Sequence, residues 1–132
     1  MRAVFACLML ACAGAALAET GPSRLTSPDG PLPEQLAAQI APVIASCWLP
    51  EAPDGRPQPV VILRIRMTRD ANISEVSLAW AEPDTQDRVQ RAYQAARRAV
   101  YRCGGELDLP GDSYEVWRDI EMTFDPTPEE PQ

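Results

Sequence analysis

Few residues of this chain have side chains suited to catalysis. The sequence contains no histidine and no lysine, and all of its positively charged side chains are arginine. Two carboxylate pairs remain as candidates for acid–base chemistry: Asp119 with Glu121, and Asp108 with Asp112. Such a pair hydrolyses glycosidic bonds when one carboxyl has a raised pKa and both line a cleft. Asp119 and Glu121 are expected to project from an open sheet face, and a domain this small has little wall to shape a cleft. We therefore expect no enzymatic activity, and a carboxylate-based hydrolase is the least favoured alternative.

The cysteines fall into two groups with different roles. Cys7 and Cys12 lie in the apolar N-terminal stretch, whereas Cys47 and Cys103 lie at the inner-face ends of two predicted helices. Export would permit a Cys47–Cys103 disulfide, and two buried free thiols are the alternative. Two thiols without histidine do not complete the usual four ligands of zinc. We expect neither a metal site nor a cofactor.

The N-terminus has the pattern of a secretory signal peptide. Arg2 precedes a run of small apolar residues, and Ala16-Leu17-Ala18 matches the small-x-small cleavage rule, so residues 1–18 are expected to be removed on export to the periplasm. The run is shorter than the roughly 20 apolar residues that span a bilayer, so no membrane span is expected after cleavage. Lipidation at Cys12, giving an outer-membrane lipoprotein of structural role, is the alternative.

The rest of the chain is organised as one small domain between two polar ends. Residues 19–33 and 126–132 are rich in proline and poor in large apolar side chains, which predicts a disordered linker and a disordered acidic tail. Residues 34–125 are expected to form the folded domain. The net charge of −7 and the absence of lysine make nucleic acid an unsuitable partner.

Hydrophobic spacing within the domain predicts two helices. The first covers residues 34–46, where Pro42 is expected to kink or shorten it. The second begins after the capping residues Pro83-Asp84-Thr85 and ends at Cys103, with Gly104-Gly105 as a left-handed C-terminal cap.

Alternating apolar residues predict three strands. They cover residues 60–68, 74–80 and 117–125, and the first two are joined by a tight turn in which Asn72 takes the left-handed conformation. The fold class is therefore α+β, with a three-stranded antiparallel sheet and both helices packed on one face.

Charged residues on the outer sheet face predict the strand order. Arg64 and Arg66 point outward on the first strand, and Asp119 and Glu121 point outward on the last. Pairing these two strands places opposite charges across the ladder, which stabilises the sheet. The predicted order is second, first, third, so the last strand is an edge.

Two stretches of this sequence resemble a known family. The helix DRVQRAYQAARRAVYRCGGELDLP followed by YEVWRDIEMTFDP resembles the C-terminal domain of TolA, especially its alphaproteobacterial versions. The stretch LRIRMTRDANISEV resembles the strand-turn-strand hairpin of these domains. The same layout has a weaker resemblance to the C-terminal domain of TonB. The resemblance covers about residues 45–125. TolA and TonB also have a membrane helix and a long spacer, which are not found in this sequence, so the resemblance is to a free-standing version.

The resemblance implies a periplasmic protein-binding domain that receives an extended partner segment as an added strand at a sheet edge. TolB, Pal or another Tol–Pal component is the expected partner. The backbone groups of Arg118, Ile120, Met122 and Phe124 are expected to pair with it. Two sets of residues here also have a structural explanation. Trp117 could cover the end of the sheet, and Asp119 and Glu121 could pair with the arginines of the first strand. The complete set of expected partner-binding residues is Trp117, Arg118, Asp119, Ile120, Glu121, Met122 and Phe124.

Overall fold

A computed structural model describes residues 24–127 of the 132 in the chain. The expected signal peptide, its cleavage site and Cys12 lie outside the described residues, as does most of the acidic tail. Between residues 24 and 127, no helix has the length and apolar character needed to cross a membrane. The elements are, in chain order, β1 (Leu25–Ser27), β2 (Gly30–Pro31), α1 (Glu34–Ser46), β3 (Val61–Met67), β4 (Ile73–Ala81), α2 (Gln86–Cys103), α3 (Tyr114–Trp117) and β5 (Asp119–Phe124).

The structure has an antiparallel sheet with its helices on one face. The strand order is β2-β1-β5-β3-β4. Alternate residues of β3 and β5 are buried beneath α1 and α2, and the intervening residues form an outer face that is only partly buried. The α+β class and the predicted pairing of the last strand with the first are confirmed. The three-strand count is wrong, because two further strands precede α1, and a third, short helix precedes β5.

The two additional strands lie in the segment that the sequence predicted to be a disordered linker. Ser27 and Gly30 face each other across a tight turn, where Gly30 takes a φ of 126° that favours glycine. Leu25 and Leu32 are both 7% exposed and join the hydrophobic core. The linker prediction is therefore wrong from residue 24 onward, because these two leucines bury enough apolar surface to order a proline-rich hairpin.

Both predicted long helices are confirmed, with differences at their prolines and glycines. Helix α1 continues through Pro42, whose missing N–H leaves the carbonyl of exposed Ala38 available to water. Helix α2 begins after Thr85, whose hydroxyl accepts the Arg88 N–H as an N-cap. The left-handed cap is wrong: Gly104 has a φ of −67° and the chain continues as a 3-10 turn.

The β3–β4 hairpin differs in detail from the predicted one. Ala71, not Asn72, takes the left-handed conformation with a φ of 60°, and its N–H donates to the Thr68 carbonyl. The pairing has two register shifts. One of them places Trp80 opposite Ile62 on the outer face, so Trp80 and Val76 lie on different faces although they are four positions apart.

The predicted Cys47–Cys103 disulfide is present. It joins the C-terminal ends of α1 and α2 at a Cα–Cα distance of 6.1 Å, within the usual range for a disulfide. Cys103 is 7% exposed. The bond therefore fixes the C-terminal ends of the two helices next to each other.

A charged cluster lies across the β3–β5 ladder on the outer face. Arg64 donates two hydrogen bonds to Asp119, one of them from Nε at 2.9 Å, and Arg66 lies 3.7 Å from the same carboxylate. The hydrogen bonds from Arg64 lower the pKa of Asp119. The Asp119 side chain is 19% exposed and that of Arg64 is 40% exposed, so water still screens the pair in part.

Replacement of both Cys47 and Cys103 by serine tests the contribution of the disulfide. The bond closes a loop of 56 positions, so its loss should lower the free energy of unfolding by about 4 kcal/mol in the chain-entropy model. Urea unfolding followed by circular dichroism measures this difference. The reduced wild-type protein is the matched control and should unfold at the same urea concentration as the double variant. An unchanged midpoint in both would contradict the prediction.

Replacement of Asp119 by asparagine tests the charged cluster. We expect the free energy of unfolding at neutral pH to fall by about 1 kcal/mol. Because folding lowers the pKa of Asp119, its contribution is present above the unfolded value of about 3.9 and is lost as the pH falls through the folded pKa. Unfolding curves measured from neutral to strongly acidic pH should therefore show the variant and the wild type converging in acid. Asp112→Asn, at an exposed loop position, is the control. A difference that persisted in strong acid would mean that packing, not charge, explains it.

Candidate functional site

The candidate binding site is defined by the direction of the backbone groups along β5. Met67 donates its N–H to the Arg118 carbonyl at 2.8 Å, on the β3 side. Thr123 donates its N–H to the Arg24 carbonyl at 3.0 Å, on the opposite side. Backbone groups of successive residues in a strand point to alternate sides. The outward-facing groups of β5 are therefore those of Asp119, Glu121 and Thr123.

The direction of these backbone groups differs from the one expected for the residues that would receive a partner. The Arg118 carbonyl points toward β3, where it accepts the Met67 N–H. The other three residues are paired with β3 in the same way: Ile120 with Ile65, Met122 with Leu63, and Phe124 with Val61. Their side chains on β5 are fully buried in the core. The expectation that these four backbones pair with a partner is wrong, because their hydrogen bonds are already made within the sheet.

Trp117 is also placed differently from the expected position. It ends helix α3 instead of beginning the strand, and it is 0% exposed. Its indole N–H donates to the Pro110 carbonyl at 2.9 Å, and its ring packs edge-on against Tyr114 with centroids 5.0 Å apart. Trp117 therefore belongs to the core, and its ring is not presented to a partner.

The outer side of β5 is not a free edge. Strand β1 pairs with it in antiparallel register, with Leu25 opposite Met122 and Thr26 opposite Glu121. The prediction that the last strand is an edge is therefore wrong. The covering strand is only three residues long, and the chain turns away at Ser27–Gly30 before it reaches Asp119.

The edge beyond β1 is poorly suited to pairing. Strand β2 consists of Gly30 and Pro31, and Pro31 has no N–H to donate. A two-residue edge strand that contains proline is a common protection against unwanted strand addition.

The opposite edge of the sheet, β4, is long and partly protected. Glu82 donates to the Val60 carbonyl and Thr68 donates to the Asn72 carbonyl, so the even-numbered residues of β3 bond to β4. Val76 lies opposite the odd-numbered Ile65, and its backbone groups therefore face away from the sheet. The Tyr93 hydroxyl donates to the Val76 carbonyl at 3.2 Å. A register shift near Leu78 further interrupts this edge. Trp80 is 49% exposed beside it.

The carboxylate pairs do not have the properties of a hydrolytic site. The pKa of Asp119 is lowered by the Arg64 hydrogen bonds, whereas a general acid needs a raised pKa. Asp108 and Asp112 are exposed in the segment between α2 and α3. In the described part of the chain, no group of three or more His, Cys, Asp or Glu side chains could hold a metal ion.

A cleft of about 230 Å³ lies between α2 and the loop that precedes β3. Its central side chain, Arg88, donates to Asp84, to Asp54 and to the Pro57 carbonyl. The backbone N–H of Arg56 is the main reason why the pKa of Asp54 is lowered to about 2. Since these groups bond to one another, the cleft is best explained as the attachment of the loop to the helix.

Comparison with known proteins identifies a TolA-like fold. The structure is similar to a solution NMR structure of TolAIII, the C-terminal domain of TolA, bound to a peptide derived from the N-terminus of TolB. The TM-score is 0.52 and the sequence identity is 20%, over 76% of this chain and 79% of that chain. No protein-family model and no curated protein matches the sequence. At this identity the similarity establishes the fold alone, so the expected resemblance to TolA is confirmed at the level of the fold.

Proposed function

We propose that this chain is an exported protein-interaction module that binds an extended segment of a partner protein by strand addition. The observation that carries the proposal is the TolA-like sheet, in which the outward-facing groups of β5 are covered by only three residues of β1. Main-chain hydrogen bonds would supply affinity, and side chains at alternate positions would supply specificity.

The partner under this proposal is a component of the Tol–Pal system, such as TolB or Pal. TolAIII with its bound TolB peptide supports this choice, since that protein has the same kind of fold. The periplasm is the compartment that fits the signal-peptide pattern of residues 1–18. The Cys47–Cys103 disulfide is consistent with it, because disulfides persist in oxidising compartments.

Strand β5 is the receiving strand in this proposal, in preference to β4. The β3–β5 ladder runs without a register shift from Val61–Phe124 to Arg66–Asp119, so the outer groups of β5 form a regular row. The β4 edge has a register shift, and Tyr93 already uses the Val76 carbonyl. An added strand requires an uninterrupted row of outward-facing groups.

The charges beside this row indicate which partner side chains are favoured. Asp119 is bound by Arg64, and Glu121 lies directly opposite Arg64 on the outer face. The described domain belongs to a chain of net charge −7. A partner residue next to Glu121 on the outer face should therefore be basic or neutral, because an acidic side chain would be repelled.

A peptide with single backbone N-methyl groups tests strand addition. The probe is a synthetic peptide from the N-terminus of TolB of the same organism, titrated into residues 19–132 of this chain by calorimetry. N-methylation should weaken binding at least about tenfold at alternate peptide positions, where each loss removes one hydrogen bond or introduces a clash. The intervening positions, whose N–H groups point away from β5, should tolerate it. Equal tolerance at every position would contradict strand addition.

A proline substitution identifies the receiving edge. Val76→Pro removes an N–H that faces the open side of β4 and leaves the β3–β5 ladder intact, so it should bind the peptide as the wild type does. In a labelled sample, the amide signals of Asp119, Glu121 and Thr123 should shift most on titration. Loss of binding in Val76→Pro, with an unchanged circular dichroism spectrum, would assign the site to β4. Absence of binding by the wild type, together with no recovery of a Tol component from envelope extract, would contradict the proposed function.

A further inference from the structure

Strand β1 lies where the proposed function places the partner strand. Arg24 accepts the Thr123 N–H, and Thr26 lies directly opposite Glu121. Two of the three outward-facing residues of β5 are therefore paired within the chain. We infer that residues 24–27 are an intramolecular substitute for the partner segment, and that the partner binds by replacing them. This inference rests on the proposed function.

The hairpin of β1 and β2 is joined to the rest of the sheet by the shortest ladder, and its contribution to the core is Leu25 and Leu32. Strand β1 pairs with β5 only at Leu25 and Thr26, with a further hydrogen bond at Arg24. On its other side it pairs only with the two residues of β2. Strand β5, in contrast, is bonded to β3 along its whole length and is buried beneath the helices. Elements with few buried contacts and a short ladder open at a lower free energy than the core.

The contacts of β1 specify the chemistry of the segment that replaces it. Leu25 lies opposite Met122 on the inner face and is 7% exposed, so the replacing strand needs an apolar side chain of similar size at that position. Thr26 lies opposite Glu121 on the outer face and is exposed, so the adjacent residue should be polar or basic. The segment is thus an extended, antiparallel strand with an apolar residue between polar ones.

The partner strand has one advantage that β1 lacks. The chain turns at Ser27–Gly30, so β1 ends before the outward-facing groups of Asp119. A partner that continues straight past this point can pair with Asp119 as well as with Glu121 and Thr123. The additional pairing offsets the loss of the Leu25 contacts and the ordering of the partner, which makes exchange possible instead of permanent self-occupation.

Amide hydrogen exchange tests the opening of β1 without any ligand. In residues 19–132, the Glu121 and Thr123 amides face β1 and the Ile120 and Met122 amides face β3. We expect the first pair to exchange at least about tenfold faster than the second under native conditions. Leu25→Ser should increase the exchange of the first pair further and leave the second pair unchanged. Exchange of all four amides at the rate of global unfolding would overturn the inference, whatever any peptide does.

A disulfide between opposite residues tests the exchange of strands. In Thr26→Cys/Glu121→Cys the new bond fixes β1 on β5, and Thr26→Ser/Glu121→Ser is the matched control. Peptide mapping verifies that Cys47–Cys103 is retained. The fixed variant should bind the TolB N-terminal peptide at least about tenfold more weakly than the serine control. Leu25→Ser should bind it more tightly than the wild type, because less of the protein is self-occupied.

The outcomes separate this inference from the proposed function. If the fixed variant binds the peptide as well as the serine control does, the inference is overturned, and the partner binds elsewhere on a module that still has its proposed function. If the wild type, the serine control and Leu25→Ser all fail to bind, the proposed function fails, and the inference fails with it. Weak binding by the fixed variant alone supports both.

Discussion

The pairing of β3 with β5 is the interaction on which the rest of the structure depends. These two strands lie at the centre of the sheet order and supply the largest part of the inner face, with Leu63, Ile65, Ile120 and Met122 fully buried. Because strand side chains alternate, the same pairing also fixes the outer face, where it brings Arg64 to Asp119. The direction of every remaining backbone group of β5 then follows, including the groups that accept β1. A one-residue slip in this register would expose the core side chains and bury the charges.

The surrounding elements keep this central pair in place from three directions. The disulfide joins α1 to α2 above the inner face, and Trp48 packs edge-on against Phe124 at 5.4 Å between ring centroids. At the start of β5, the Tyr114 hydroxyl donates to the Met67 carbonyl and so connects α3 to the end of β3. The buried Trp117 donates to the Pro110 carbonyl and so connects α3 to the segment before it. At the other end, Arg88 attaches the proline-rich loop to α2. These contacts therefore connect the helices and loops to the central pair, whereas β1 is joined to β5 by a ladder of only two positions.

The elements that the sequence predicted well are those in which periodicity and capping agree. Helix α1 has its predicted bounds, Thr85 caps α2 as expected, and the charges on β3 and β5 correctly indicated their pairing. The hairpin of β1 and β2 was missed because its strands are too short for a period to be visible and its composition resembles a linker. A local signal was present nonetheless: Ser27-Pro28-Asp29-Gly30 has the residues typical of a tight turn, and a leucine flanks it on each side. Trp117 was misplaced because a single helical turn before a strand interrupts the alternation without any change in composition.

The way in which each sheet edge is covered leads to the final argument about binding. The β2 edge is short and contains proline, and the β4 edge is interrupted by a register shift and by the Tyr93 hydroxyl. The protection of the β4 edge comes from residues that are integral to the fold, so removing it requires the sheet or α2 to rearrange. The cover of β5 is different, since β1 pairs with β5 at only two positions and takes no part in the β3–β5 ladder or the disulfide. Under the proposed function, a module that binds by strand addition needs a row of backbone groups that is protected and yet can be uncovered. In the described sheet, the row of outward-facing backbone groups on β5 fits this requirement better than the β2 edge or the β4 edge does.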